Sequence, residues 1–379
     1  MSPSIEIQLI AILVSVACAM SGTFLVLRKM SLMTDAITHT ILFGIVVAYF
    51  ITKDLNSPFL IVGAALVGVL TVWMTETVVK THLVSEDSAI GLVFPLLFSF
   101  AIILVTKFAD SVHLDVDSVL LGELAFAPFD RMVVFGVDIG PIAMWVGIAL
   151  LVLNLLFITV FFRVLKVSTF DILLATTLGF SPVIIHYCFM TLVSITAVGA
   201  FQTAGSIMVI AFMIVPPATA YLLSNNLKVI LVLSGVLGAL SSILGFQLAH
   251  ILDASIAGAI AVVAGAFFII ALIVSPSRGV LSVVMRRKRI KEEYNHFALL
   301  FHLHNHQNTP LEQTENYLPT LVDHFHWDEK KMLSILRKLQ SKGELSIADG
   351  DIVRLTDLGK EHAKKAYFSF FGKDINLEN

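Results

Sequence analysis

Asp35 and His39 stand four residues apart in the stretch RKMSLMTDAITHTILFG, residues 28–44, at the head of an apolar run that reaches Phe50. On a helix that spacing stacks both side chains on one face, where a carboxylate oxygen and an imidazole nitrogen can reach a single object. Such a donor pair suits Mn2+, Fe2+ or Zn2+. A charged group at the middle of a bilayer costs about 2.5–3.5 kcal/mol on insertion scales, so residues of this kind face a cavity or a partner. A plainer reading fits the same residues. Asp35 follows Lys29 closely enough to be an N-terminal helix charge at the inner interface, with His39 hydrogen-bonded to a neighbour. The pair alone leaves both readings open.

The elements that must position this pair are membrane spans. The chain has 379 residues, 57% of them hydrophobic and 14% charged, with a mean hydropathy of +0.89. A water-soluble domain is nearer a quarter charged, so lipid solvates most of this chain. At about 1.5 Å per residue, roughly 20 apolar residues cross the hydrocarbon layer. Nine stretches qualify: 5–27, 36–51, 59–79, 89–108, 142–162, 183–200, 203–223, 229–248 and 254–274. The first is too long for a secretory leader's apolar core and reads as a retained span. Arg28, Lys29, Lys80, Arg163, Lys166 and Lys228 fall in loops of one side, and Lys53, Lys107 and Arg131 in those of the other. This predicts an N-terminus outside and a C-terminus inside, the side that also holds RRKRIK at 286–291. The outer loops are rich in Asp and Glu, which would draw cations to that face, although solvated loops look the same. Within them, DSVLLGELAFAPFD (117–130) reads as an apolar half-helix broken by Pro128, too short to span.

Between the fifth and sixth spans, STFDILLATTLGF (168–180) reads as a short helix with Phe170, Leu173, Leu174 and Leu178 near one side and Gly179 as its stop. The alternative is an interfacial helix lying on lipid. Pro216 and Pro217 must bend or break the seventh span. Small residues in GALSSILG (238–245) and AGAIAVVAGA (257–266) favour close helix packing. The two cysteines, Cys18 and Cys188, lie in apolar runs, which argues against a disulfide framework or a thiolate zinc site. No phosphate-binding G-x-x-x-x-G-K-[ST] loop occurs, so any ATP-driven work needs a separate ATPase.

Three further segments occur in an order that, with LRKMSLMTDAITHTILFGIVVAY, carries a family resemblance. They are SEDSAIGLVFPLLFSFAIIL (85–104), DVDSVLLGEL (115–124), and VSTFDILLATTLGFSP followed by QTAGSIMVIAFMIVPPATAYLL between 167 and 223. Together these resemble the permease subunits of ATP-binding-cassette importers for zinc, manganese and iron, over about residues 5–275. The resemblance implies a helical polytopic fold like that of cobalamin-importer permeases. It makes Asp35 and His39 intramembrane ligands to a transported Mn2+, Zn2+ or Fe2+, with no permanently bound cofactor. Glu76, Glu123 and Gln202 are candidates for the missing ligands. Phe170, Asp171, Ala175, Leu178 and Gly179 match the coupling helix that sits in a groove of the ATPase. A homodimer around a central path and an extracellular metal-binding protein are further implied partners. Two positions depart from the family pattern, Thr34 in place of Gly and Phe43 in place of Pro, so the local helix path need not be the same. An importer of the same architecture for cobalamin or a siderophore would need a wide path free of cation ligands, which the Asp-His pair argues against.

The last part of the chain changes character. The expected organisation is a permease domain over 1–280, a basic juxtamembrane linker over 281–291 and a cytosolic domain over 292–379. Helix, helix, a two-strand hairpin turning at Asp349-Gly350 and a final helix are expected there. This small α+β order resembles a winged helix, and VRLTDLGKEHAKKA resembles metalloregulators of the diphtheria-toxin-repressor type. Operator binding by this domain is the alternative function. Its acidic balance argues against nucleic acid, although Lys330, Lys331, Arg337, Lys338 and Lys342 could form a stripe. RRKRIK is better explained as an anchor to anionic lipid. His302 and His306 share a helix face and, with His324 or Asp323, could hold a regulatory divalent metal. Solvated histidines in a packing or dimerisation module are the alternative.

Overall fold

The computed structural model describes residues 2–54, 57, 59–108, 124–134, 137–276, 278–348 and 351–371. Its contacts divide the chain into two compact units, Met1–Val280 and Leu281–Asn379.

The first unit is a helical bundle: α1 (Pro3–Leu27), α2 (Ser31–Thr52), α3 (Phe59–Val79), α4 (Glu86–Phe108), α5 (Ile142–Phe170), a short α6 (Ile172–Thr177), α7 (Pro182–Leu223), α8 (Leu227–Leu252) and α9 (Ile256–Val274). Helix α1 is enclosed by its neighbours, with Ile10, Val14, Ala17, Cys18 and Phe24 all inaccessible. Its small residues let other backbones come close, and hydroxyl or amide groups join helices where they meet. Thr23 lies 3.0 Å from Ser234, Thr71 donates to Thr40 at 2.8 Å and Asn154 to Thr196 at 2.8 Å. Gly245 abuts the backbone of Ile260, the close packing expected of the small residues in 238–245 and 257–266, and Gly44 abuts the backbone of Ala64.

Eight of the described helices are long and apolar enough to cross a membrane, against nine stretches in the sequence. The difference is α7, which takes in both stretches expected to be separate sixth and seventh spans. Its 42 residues do not form one rod. Gly205 has φ 75° and ψ 166°, outside the helical region, a conformation that glycine adopts without the steric cost a side chain imposes. Phe189, on one arm of α7, has its ring 5.9 Å from that of Phe24. Met213, on the other arm, presses its carbonyl against Gly22, two residues earlier in α1. A straight helix would put residues 189 and 213 about 36 Å apart. The two arms therefore fold back on each other at Gly205, and both ends of α7 lie at the same end of the bundle.

Pro216 and Pro217 fall in the returning arm. Thr219 bonds the carbonyl of Val215 at 2.7 Å, whereas Pro217 removes the donor that would have met the Met213 carbonyl. That freed carbonyl is the one lying on Gly22. A methyl group at Gly22 would overlap it, and overpacking of this kind costs about 1–3 kcal/mol. Gly22→Ala should accordingly lower the thermal stability of the detergent-purified protein. An unchanged melting temperature would show that the α1–α7 contact is looser than described.

Between α4 and α5, most of the expected half-helix, 117–123, lies outside the described residues. Ala127–Phe129 make one 3-10 turn, and β1 (Arg131–Val134) pairs antiparallel with β2 (Val137–Pro141). The β-branched run around 133–139 favours strands once Pro128 has ended the helical geometry. Arg131 pins this hairpin, reaching Asp138 on β2 and Glu6 of α1 at 3.2 Å. Glu6 is almost fully buried.

The second unit has its own apolar core, built from Leu299, Leu303, Leu321, Met332, Leu336, Leu339, Val353 and others. Its order is α10 (Val280–His306), α11 (Glu312–Glu315), α12 (Leu318–Phe325), α13 (Glu329–Ser341), β3 (Leu345–Ala348), β4 (Ile352–Leu355) and α14 (Asp357–Phe371). The strands pair from Leu345↔Leu355 to Ala348↔Ile352. The expected turn Asp349-Gly350 lies outside the described residues. Gln307 clips β4 by accepting from the Leu355 amide at 2.9 Å and donating to its carbonyl at 3.2 Å. The stretch expected as a linker, 281–291, is helical and largely exposed, the first part of α10.

Candidate functional site

Helix α2 begins at Ser31, so Asp35 and His39 lie within its first three turns and on one side. His39 Nε2 stands 3.2 Å from Asp35 Oδ1, with side-chain exposures of 28% and 40%. Neither group is sealed in the bundle. The His39 ring packs 5.5 Å from Phe94 and 6.0 Å from Phe98, both on α4, which fix its direction. Among the described residues no third His, Cys, Asp or Glu joins the pair. One chain thus offers one oxygen and one nitrogen ligand, fewer than the four or more that a divalent transition metal takes.

The other candidate ligands lie elsewhere. Glu76, near the end of α3, is held by α7: His186 Nε2 stands 2.5 Å from its Oε1, and the Tyr187 hydroxyl donates to its Oε2 at 2.7 Å. Gln202 is exposed beside the reversal in α7, and Glu123 lies outside the described residues. Arg28 extends the Glu76 cluster, with Nη1 3.3 Å from His186 Nδ1 and Nε donating to Thr169 at 3.1 Å. These groups line a cavity of about 470 Å3 with Met30, Met33, Lys80 and Glu86. Sequence reading missed His186, because no spacing motif links residue 186 to residue 76.

Helix α6 is short. Asp171 interrupts the helical path (φ −149°, ψ 99°) and its Oδ1 accepts from the Leu174 amide at 2.9 Å, capping the new helix. Phe170 therefore closes α5, and α6 ends at Gly179, with φ +83° and the Phe180 amide returning to the Ala175 carbonyl at 3.1 Å. Phe170, Ile172, Leu173, Leu174 and Leu178 are all exposed, Leu173 by 81%. Ala175 is fully buried, so among the five expected coupling residues it supports the helix from behind.

In the second unit, the expected group His302, His306 and His324 does come together. The His302 ring lies 4.7 Å from that of His306 and 5.8 Å from that of His324. Glu315, absent from the sequence reading, sits among them with its Oε2 3.1 Å from His324 Nδ1. Burial, with His306 and His324 nearby, moves the His302 pKa below its ordinary value despite a hydrogen bond to the Glu315 carbonyl. The basic stripe is partly engaged: Lys338 pairs with Glu292 at 2.8 Å and Lys331 sits over the Trp327 ring at 4.3 Å.

A family model described as "ABC 3 transport family" matches residues 5–275. The zinc transport system membrane protein TroD of Treponema pallidum is 42% identical over 94% of this chain and 96% of its own. That match extends into the second unit. The manganese transport system membrane protein MntD of Bacillus subtilis is 41% identical over 76% of this chain and 99% of its own. Among solved structures, PsaBC from Streptococcus pneumoniae in complex with Fab matches with a TM-score of 0.60 and 30% identity, covering 75% of this chain and 95% of that one.

Proposed function

Since the chain belongs to the ABC 3 transport family, we propose that this multi-pass membrane permease carries Mn2+, Zn2+ or Fe2+ through a site made by Asp35 and His39. Permeases of this family have no ATPase site of their own, and a partner subunit hydrolyses ATP. The observation that carries the reading is the Asp-His pair, stacked on one face of α2 and partly open on that face. Relatives named for zinc and manganese transport support the choice of cargo.

Two ligands per chain account for half a coordination sphere. A second copy, related by a two-fold axis beside α2, would supply another carboxylate and another imidazole, giving an N2O2 site at the seam of a homodimer. In this reading α6 is the coupling helix whose apolar face docks in the ATPase. A metal-binding protein outside the cell delivers the ion. The folded-back α7 contributes two passages, so the N-terminus lies outside and the C-terminus inside, as the basic loops require. The second unit is then cytosolic and winged-helix-like, and RRKRIK lies near anionic lipid. With Lys331 and Lys338 already engaged, and relatives named as membrane transport proteins, operator binding has no observation behind it.

The reading is tested by reconstituting the permease with its ATPase in vesicles and following ATP-dependent accumulation of Mn2+ and Zn2+ with an indicator dye. Accumulation of either ion supports it. Failure of both, in vesicles that hydrolyse ATP, would remove it.

A further inference from the structure

The second unit holds a set of donors that the permease does not use. His302 comes from the end of α10, Glu315 is the last residue of the four-residue α11, and His324 lies in the last turn of α12. One ligand atom from each falls within 4.8 Å of the other two. Around an ion bound at about 2.0–2.1 Å, tetrahedral ligand atoms lie roughly 3.4 Å apart. Glu315 Oε2 and His324 Nδ1, 3.1 Å apart, are already close to that separation. The ring of His306, one turn beyond His302, packs against it with centroids 4.7 Å apart.

The packing explains why these side chains, half-buried at His302 and Glu315 and exposed at His324, converge. Phe325 packs on His302 at 5.4 Å between centroids and on Trp327 at 4.5 Å, which fixes one wall. His302 Nε2 is 3.2 Å from the Glu315 backbone carbonyl, which holds α11 against α10. A simple ion pair between His324 and Glu315 would not require a further imidazole nitrogen within 4.8 Å of both groups.

We propose that His302, Glu315 and His324, with His306 packed beside them on His302, form a binding site for one divalent transition-metal ion in the C-terminal unit. Two or three imidazole nitrogens select against Mg2+ and Ca2+, which prefer all-oxygen sites, and favour Zn2+, Co2+ or Fe2+. The ion ties α10, α11 and α12 together across the 307–317 connection. This site stands whether or not the importer carries the same metal.

The test uses the full-length protein in detergent, stripped with chelator and titrated with Co2+, whose visible absorption reports a four-coordinate nitrogen and oxygen environment. Asp35→Ala should leave this signal in place. Glu315→Gln and His324→Gln, each close in size to the residue it replaces, should weaken it by about 100-fold or more, since changes in outer partners alone cost about 10–100-fold. Hydrogen exchange across 302–324 should slow when Co2+ or Zn2+ is added to the Asp35→Ala protein, and not when it is added to Glu315→Gln. Equal affinity and equal protection in Glu315→Gln, His324→Gln and the unaltered chain would overturn the proposal.

Discussion

Asp35→Ala should abolish ATP-driven uptake of Mn2+ and Zn2+ while leaving the protein folded in the membrane. The expected loss is at least about 100-fold, because even outer partners of a metal ligand change affinity by about 10–100-fold and this substitution removes a ligand outright. In a two-fold dimer it removes two. The fold should survive, since Asp35 is 40% exposed and its recorded partner is the neighbouring His39. His39→Ala should fail in the same way. The structural alternative, in which the pair merely stabilises the start of α2, predicts the opposite pattern: a lowered melting temperature with residual uptake scaling with the folded fraction. Measuring uptake and melting temperature on the same preparations separates the two. Undiminished uptake by Asp35→Ala would remove the site from the transport path.

Asp35 and His39 were legible in the sequence because both halves of their signal are local. The i, i+4 spacing fixes a shared face, and the apolar run around them makes an ionisable pair conspicuous. Glu76 was legible as an acid in a span but not as the partner of His186 and Tyr187, since that contact depends on how α3 packs against the start of α7. Glu315 escaped for a related reason. The four-residue α11 has no periodicity to announce it, and only the packing of α12 brings His324 to its carboxylate. The reversal in α7 shows what hydropathy can and cannot resolve. Both arms are apolar enough to be found, yet the turn between them is one glycine with a positive φ, set among other small residues. The hairpin after Pro128, RMVVFGVDIGP, is short and lacks a strict apolar–polar alternation, so its strands are not announced by period. Its anchor, Arg131 on buried Glu6, joins residues 125 apart in the chain.

Leu173→Asp should separate the permease from its ATPase without disturbing the permease itself. With 81% of its surface exposed, Leu173 has little packing to lose within the chain, so the variant should fold and reach the membrane. A helix that keeps Ile172, Leu173 and Leu174 exposed, between the end of α5 and the start of α7, needs something to cover them. In the docked complex an aspartate at the centre of that face would be buried without a partner. Central interface residues of this kind are worth about 2 kcal/mol or more, which is roughly 30-fold in affinity. Two further variants give the result its meaning. Leu173→Met keeps an apolar group of similar volume and should copurify with the ATPase as the unaltered chain does. Asp171→Ala removes the cap on Leu174 at a cost of about 1 kcal/mol and should weaken coupling partially, by fraying the first turn of a six-residue helix. A graded series in copurification and permease-stimulated ATP hydrolysis, with Met near normal, Ala intermediate and Asp lost, is the signature of docking through α6. If Leu173→Asp copurifies and couples as well as the unaltered chain, this face rests on lipid and the ATPase engages the permease elsewhere.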